Sequence, residues 1–313
     1  MSGSMADEAT TGLARHLASG KFVVTAEIAP PASTDPADLL RPAMALRGIA
    51  DAVNVTDGAG ARAHLCALAG ARLLLDHGIE PILQMTCRDR NRLALQSDLL
   101  GALALGVGNV LLLSGDDPRQ GDQPETKPVF DLDSRSLLAT AQQLRVEHRL
   151  PSGREVKGPI RLLLGAADMP VDPPPGWMPT SLTAKAAAGA DFVQTQFCMD
   201  VGVVRRYAAR LAELGLVPRL KVLIGLAPIP SVRSARWMKE RLPGTIIPDA
   251  VIDRLDGAPD ARAEGRRIAV ELLQQLIEIP GIAGAHVMAP QNPSAIPEVI
   301  AASGVGARQA APL

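Results

Sequence analysis

The sequence predicts an α/β protein folded as a single (β/α)8 barrel, on three observations. Eight short β-rich apolar runs recur along the chain, segments with apolar residues at helical spacing lie between them, and no Gly/Ser linker divides the 313 residues. The first run, Phe22–Ile28, is followed by Ala52–Val55, and the helical segment Ala61–Asp76 leads to the third, Pro81–Met85. Arg92–Gly106 then precedes Asn109–Leu113, and Ser134–Arg149 precedes Ile160–Leu164. Thr183–Gly189 leads into Phe192–Thr195, Val203–Leu214 into Leu220–Ile224, and Ala263–Ile277 into Ala285–Met288. Strand alternating with helix implies right-handed parallel crossovers. Eight such units in about 300 residues suit a closed barrel better than an open doubly wound sheet. The expected division is a tail and first helix over 1–20, the barrel over 21–305 and a C-terminal tail over 306–313.

Composition sets the boundaries of what the chain does. It is 47% hydrophobic and 21% charged, enough apolar material for a substantial core. A formal net charge of −1 leaves no electrostatic footprint for nucleic acid or an anionic membrane, and neither partner is expected. With four Phe, two Trp and one Tyr, the core must be built from Leu, Ile, Val and Ala, as in parallel sheets covered by helices. Cys66, Cys87 and Cys198 lie far apart without ligand spacing, so neither a disulfide framework nor a metal site is expected. Met1 to Ala9 is polar and mildly acidic, and no leader peptide is expected there. No apolar stretch reaches the roughly 18–20 residues that span a bilayer. A cytoplasmic protein fits these features.

In such a barrel the chemistry stands at the C-terminal ends of the strands. Glu27 lies inside the otherwise apolar first strand, and Asn54, Thr56 and Asp57 end the second. Gln84, Thr86 and the segment Cys87-Arg88-Asp89-Arg90-Asn91 end the third, and Ser114-Gly115-Asp116-Asp117 the fourth. Asp168 follows the fifth, in a Pro-rich loop, and Gln194-Thr195-Gln196 closes the sixth. Each residue has a plain structural reading beside the functional one. Glu27 is either an outward-pointing polar residue or a buried acid suited to general acid catalysis. Asp116 reads equally as a turn or N-cap residue, and Asp57 is best read as a turn residue. Arg88–Asn91 reads as a solvated loop with Asn91 capping a helix, Gln84 and Gln196 as satisfied core amides, Cys87 as a buried filler, and His286 as a packed histidine. No Walker loop, H-E-x-x-H, G-x-S-x-G or G-x-G-x-x-G occurs. Any nucleotide cofactor is therefore expected at the barrel mouth.

The motifs, taken in order, resemble the methylenetetrahydrofolate reductase family. Thr25-Ala-Glu27-Ile-Ala-Pro30-Pro31 looks like that family's first-strand motif. Asn54-Val-Thr-Asp57, Gln84 to Asn91, Leu113-Ser-Gly-Asp-Asp-Pro118, Gly121-Asp-Gln-Pro124, Phe130 to Ser134 and Ala190 to Phe197 follow in its order and spacing. The likeness runs from about Phe22 to Pro290. It implies a TIM barrel holding a flavin, FAD or alternatively FMN, at its mouth. It further implies NADH or NADPH as reductant, reduction of 5,10-methylenetetrahydrofolate to 5-methyltetrahydrofolate in two successive half-reactions, a role in one-carbon and methionine metabolism, and a homo-oligomer. Carried over position by position, Glu27 matches the general acid that protonates N10 of the folate, and Asp116 the carboxylate between flavin and pterin. Gln196 matches the amide that binds the pterin. Thr56, Gln84, Ser114, Gly115, Asp116, Asp131, Asp168 and Lys185 match cofactor-binding positions. The chain departs from the best-known bacterial members at Gln84, where they have His, and at Ser114, where they have Arg. Met178 stands where they have an acidic residue and Asn292 where they have Arg. Two other readings remain open at this point: a pterin methyltransferase barrel and a folate- or flavin-binding subunit.

Overall fold

The computed structural model describes residues 11–290 and 292–305. Of the expected N-terminal tail and first helix over 1–20, residues 1–10 lie outside the described residues, as does the expected C-terminal tail over 306–313. Eight strands close into a barrel: β1 Val23–Ile28, β2 Ala52–Val55, β3 Pro81–Thr86, β4 Asn109–Leu113, β5 Leu163–Asp168, β6 Phe192–Phe197, β7 Lys221–Leu226 and β8 Ile282–Val287. They run in sequence order, all parallel, and β8 returns to β1. The helices are α1 Gly12–Ser19, α2 Pro36–Met44, α3 Ala67–Asp76, α4 Arg92–Ala104, α5 Ser134–Glu147, α6 Thr180–Ala187, α7 Val201–Glu213, α8 Val232–Arg241, α9 Asp249–Asp256, α10 Ala261–Leu276 and α11 Ala295–Ser303. The single (β/α)8 TIM barrel read from the sequence is therefore the fold.

Individual boundaries differ from the sequence reading. The segment predicted as one helix from Ala61 is a short 3-10 turn at Ala59–Ala61, then a separate helix, α3, starting at Ala67. The fifth strand begins at Leu163 rather than Ile160, because its ladder to β4 opens with Leu163 opposite Asn109. That shift makes Asp168 the last residue of β5 instead of a loop residue.

Two apolar regions hold the barrel together. The larger packs the outward faces of the strands against the helices, with Leu39, Leu74, Leu99, Leu137 and Tyr207 fully buried. The smaller lies across the N-terminal end of the barrel, where Val23, Ile82, Leu111, Phe192 and Leu223 meet Leu13 and Leu17 of α1. α1 thus plugs the bottom of the barrel. Its first amides, Gly12 and Leu13, donate to the Glu80 carboxylate at 2.8 Å each, and Asn109 donates to the same group at 2.9 Å. A carboxylate on otherwise unsatisfied helix N-terminal amides is a favourable end to the helix. Gly165 makes room for the Phe192 ring in this layer, since a Cβ there would stand 2.3 Å from the ring. With the bottom filled, the barrel opens only at the C-terminal ends of its strands.

Candidate active site

The mouth holds a cavity of about 740 Å³. Its lining contains Glu27, Thr56, Gln84, Ser114, Gly115, Asp116, Asp168, Lys185 and Gln196. The reason in β1 and β2 is periodicity: alternate residues of a strand face the same side, so Thr25 and Glu27, and Asn54 and Thr56, come in inward-facing pairs, while Gln194 and Gln196 both reach the cavity across a register shift of β6 against β7. The lower residue of each pair forms a buried polar layer above the apolar plug. The upper one borders the cavity.

Glu27 sits on β1 with its side chain 21% exposed. Gln84 reaches from β3 and donates its amide to Glu27 Oε2 at 2.9 Å, and His286 Nε2 lies 3.6 Å from the same oxygen. Beneath them Thr25, Asn54, Gln194 and His286 form a connected hydrogen-bonded set, each nearly inaccessible to solvent. Gln84 is therefore an amide satisfied by the acid itself.

Asp116 stands exposed on the rim and accepts the Gly60 amide at 2.8 Å. It neither caps a helix nor closes its own turn; it fastens the loop after β4 to the loop after β2. Gly115 beside it has φ +96°, and a Cβ there would meet Cβ of Arg88 at 2.9 Å and of Thr86 at 3.0 Å. Only glycine fits this left-handed, crowded position, which fixes where Asp116 leaves β4. Gln196 is half-buried, and its Oε1 accepts the backbone amide of Phe197 at 3.0 Å. Thr56 is buried, and its hydroxyl has no hydrogen-bond partner within the protein. A buried polar atom without a partner is uncommon, and one on a cavity wall is placed to meet a ligand.

The turn reading of Asp57 is incorrect. Its carboxylate accepts Arg90 at 2.6 and 3.1 Å, the Thr86 amide at 2.8 Å and the Thr86 hydroxyl at 3.0 Å. Burial works to raise its pKa, but the Arg90 and Thr86 donors and the Arg90 charge outweigh it, and the net shift is downward. The solvated-loop reading of Arg88–Asn91 fails for the same reason: Arg88 is buried and Arg90 is tied to Asp57 and Asp98. Asn91 does cap α4, accepting from Leu93 and Ala94 at 3.1 Å. Cys87 is the buried filler expected, with burial first and then Asp133 pushing its thiol to about 11.

Asp168 accepts the hydroxyl of fully buried Tyr207, and burial holds its pKa above the ordinary carboxylate value despite Tyr207 and nearby Lys185. Lys185 of α6 is half-buried and donates to the Ala167 carbonyl at 2.7 Å, so it belongs to the cavity wall rather than the open helix surface. Asp131 is the one carried-over position that the structure does not bring to this cavity. It pairs with Arg92 at 2.7 Å and lines a separate depression that shares Ser114 with the mouth. The residues that sequence reading left out are Thr25, Tyr207 and, as a cavity residue, His286. A signal for Thr25 was present in its place two residues before Glu27. Tyr207 lies on a helix 39 residues from Asp168, and no local pattern joins them.

Comparison with known proteins adds a family. The family model described as Methylenetetrahydrofolate reductase matches residues 12–148 and 168–304. A Caenorhabditis elegans protein named "Probable methylenetetrahydrofolate reductase (NADPH)" is 25% identical over 244 residues, 75% of this chain. The chain spans only 34% of that relative's length. Among solved structures, an uncharacterized Clostridium thermocellum protein described as binding two copies of 5-methyl-5,6,7,8-tetrahydrofolic acid is similar, with a TM-score of 0.61 and 14% identity over 92% of this chain and 96% of that one. The Bacillus cereus spore cortex-lytic enzyme SleL is similar with a TM-score of 0.53 and 13% identity, over 91% of this chain and 75% of that one. At these identities the structural likenesses speak for the fold alone. The family model reaches from the plugging helix α1 to α11, and on that match the chain belongs to the methylenetetrahydrofolate reductase family.

Proposed function

We propose that the chain reduces 5,10-methylenetetrahydrofolate to 5-methyltetrahydrofolate, with NADH or NADPH as reductant. The observation that carries this reading is a pair of carboxyls in unlike surroundings around one cavity. Glu27 is recessed against Gln84 and the buried polar layer, whereas Asp116 is exposed on the rim. Such a pair suits one acid that donates a proton and one that stays ionised. In the proposed reaction the protonated Glu27 carboxyl delivers its proton to N10 as the N10–methylene bond breaks. The bond's electron pair goes to N10, leaving a cationic iminium at N5. Asp116 stabilises that cation by charge, and Gln196 orients the pterin by hydrogen bonding. Hydride addition to the iminium carbon then gives the N5-methyl group.

The mouth residues fit the ring portion of FAD or FMN. The partnerless hydroxyl of buried Thr56 is the observation that supports this, with Ser114 and Gly115 along the β4 edge, Gln84 on β3 and the Lys185 cation on the cavity wall beside β5. Bound there, a flavin supplies the two-electron carrier between nicotinamide and folate in a ping-pong cycle, a transfer that no side chain performs. Asp168 would meet it from β5, and Asp131 from outside the cavity.

The test separates the two layers of the proposal. Purified protein is examined for flavin absorption and then assayed with NADH or NADPH and methylenetetrahydrofolate. Yellow protein bleached by nicotinamide and recoloured by the folate supports both layers. Colourless protein that still makes 5-methyltetrahydrofolate removes the flavin and keeps the reaction. Flavin-loaded protein that reduces no folate with either nicotinamide overturns the reaction itself.

A further inference from the structure

We propose that His286 is a positioning residue for Glu27, held as the neutral Nε2–H tautomer by Thr25 and Gln194, so that the acidic proton of Glu27 resides on Oε1. The inference rests on the reading of Glu27 as the proton donor. Thr25 and His286 are direct register partners on β1 and β8, so their side chains enter the barrel side by side. The Thr25 hydroxyl lies 2.9 Å from His286 Nδ1, and its other acceptor, the Ala285 carbonyl, is more distant at 3.4 Å. Gln194 Nε2 lies 3.0 Å from Thr25 Oγ1 and 3.3 Å from His286 Nδ1. The orientation of Gln194 is set in turn by Asn54, whose Nδ2 donates to Gln194 Oε1 at 2.6 Å and whose Oδ1 accepts from Gln194 Nε2 at 3.0 Å.

These contacts fix the hydrogens. Gln194 donates to Thr25, so the Thr25 oxygen acts there as acceptor and its own O–H is free for the nearer acceptor, Nδ1. The two hydrogens of Gln194 Nε2 are taken by Asn54 Oδ1 and Thr25 Oγ1, both at 3.0 Å, so the Thr25 hydroxyl at 2.9 Å is the donor to Nδ1, and a ring nitrogen that accepts carries no hydrogen. The imidazole proton therefore sits on Nε2 and points toward Glu27 Oε2, 3.6 Å away. Gln84 sends a second N–H to the same oxygen at 2.9 Å. A proton on Oε2 would collide with the Gln84 N–H at hydrogen-bond distance and face the His286 Nε2–H from 3.6 Å, so the protonated form of Glu27 carries it on Oε1. Glu27 then has one oxygen held by the barrel wall and one left for transfer.

The test begins with the tautomer. Nitrogen-15 spectra of the imidazole groups of the full chain, with His286→Gln to assign the signal, should show a protonated Nε2 and a bare Nδ1 for His286. A protonated Nδ1 overturns the proposal. This readout requires no turnover, so it stands apart from whether the chain reduces folate. Thr25→Val then removes the hydroxyl at nearly constant shape, and Thr25→Ser restores it. Thr25→Val should lower kcat for folate reduction about 10- to 100-fold with little change in KM for the folate. Oxidation of the nicotinamide in the first half-reaction should be unaffected, and Thr25→Ser should recover most of kcat. An unchanged kcat in Thr25→Val, or an equal loss in Thr25→Ser, overturns the positioning role. Wild-type protein without folate turnover overturns instead the reading of the site on which that role rests.

Discussion

Gln84 on β3 donates its side-chain amide to Oε2 of Glu27 on β1 at 2.9 Å, spanning the intervening strand β2. Two residues 57 apart in the chain are thereby joined at the mouth of the barrel, and the acid is held by a neutral donor rather than by a cation. Glu27→Gln keeps an amide-compatible volume but has no proton to give. Folate reduction should fall about 100- to 10,000-fold, the range of a general acid, while nicotinamide oxidation in the first half-reaction is retained. Separate measurement of the two half-reactions checks this; equal loss of both would assign Glu27 to binding instead.

Asp116 supplies charge, and its hydrogen bond to the Gly60 amide needs only an oxygen. Asp116→Asn keeps that bond and removes the charge. It should lower kcat for folate about 100-fold, in the range of other electrostatic stabilisers, without moving the thermal unfolding midpoint. A variant that loses stability in proportion to activity would make Asp116 a loop fastener only.

Asp57 and Arg90 form the buried ion pair under the rim. Asp57→Asn removes one of the two carboxylates on Arg90, which keeps Asp98, and weakens the charge-assisted bonds to Arg90 and Thr86, so it should destabilise the fold by about 1–3 kcal/mol in chemical denaturation at neutral pH. The pH dependence has a definite sign. The folded carboxyl is shifted below the ordinary value of 3.8, so its stabilisation is present above that value and is lost as pH falls through the lower folded value. Acid should therefore destabilise the wild type more steeply than Asp57→Asn; parallel acid profiles would contradict the pairing.

The opposite sign applies to Asp168, whose folded pKa is raised by burial. Its contribution to stability is present below the ordinary carboxylate value and is lost as pH rises through the raised folded value. Tyr207→Phe removes the hydroxyl that opposes this shift, so Asp168 should move further up. Stability should then fall more steeply in Tyr207→Phe than in the wild type over the interval in which pH rises above the ordinary carboxylate value. Denaturation curves across that interval check it, and an identical slope in the two proteins would show that the hydroxyl has no hold on the acid.

What could be read from the sequence follows the range of each interaction. Strands β1 to β4 declared themselves by short apolar runs, and Glu27 by being a charge within one. β5 was displaced because the residues from Ile160 continue an apolar run, while the ladder starts only where Asn109 offers a partner. α2 and α11 escaped notice because proline interrupts each, Pro42 within α2 and Pro297 in the first turn of α11. α8 carries few apolar residues, so its period is faint. Motif order gave Glu27, Asp116 and Gln196 a common cavity, but order does not say which way a loop side chain turns. Asp131 therefore had the right neighbours in sequence and lies outside the mouth beside Arg92. Asp57 with Arg90 and Asp168 with Tyr207 are non-local pairs, which only the closed barrel brings together.

The most direct test of the central claim is product formation by the purified chain, with NADH or NADPH, methylenetetrahydrofolate and added FAD. The account predicts folate-dependent consumption of reduced nicotinamide matched one for one by 5-methyltetrahydrofolate, and its loss in Glu27→Gln. Nicotinamide consumption without a methylated product, or the same product yield from Glu27→Gln as from the wild type, would contradict it.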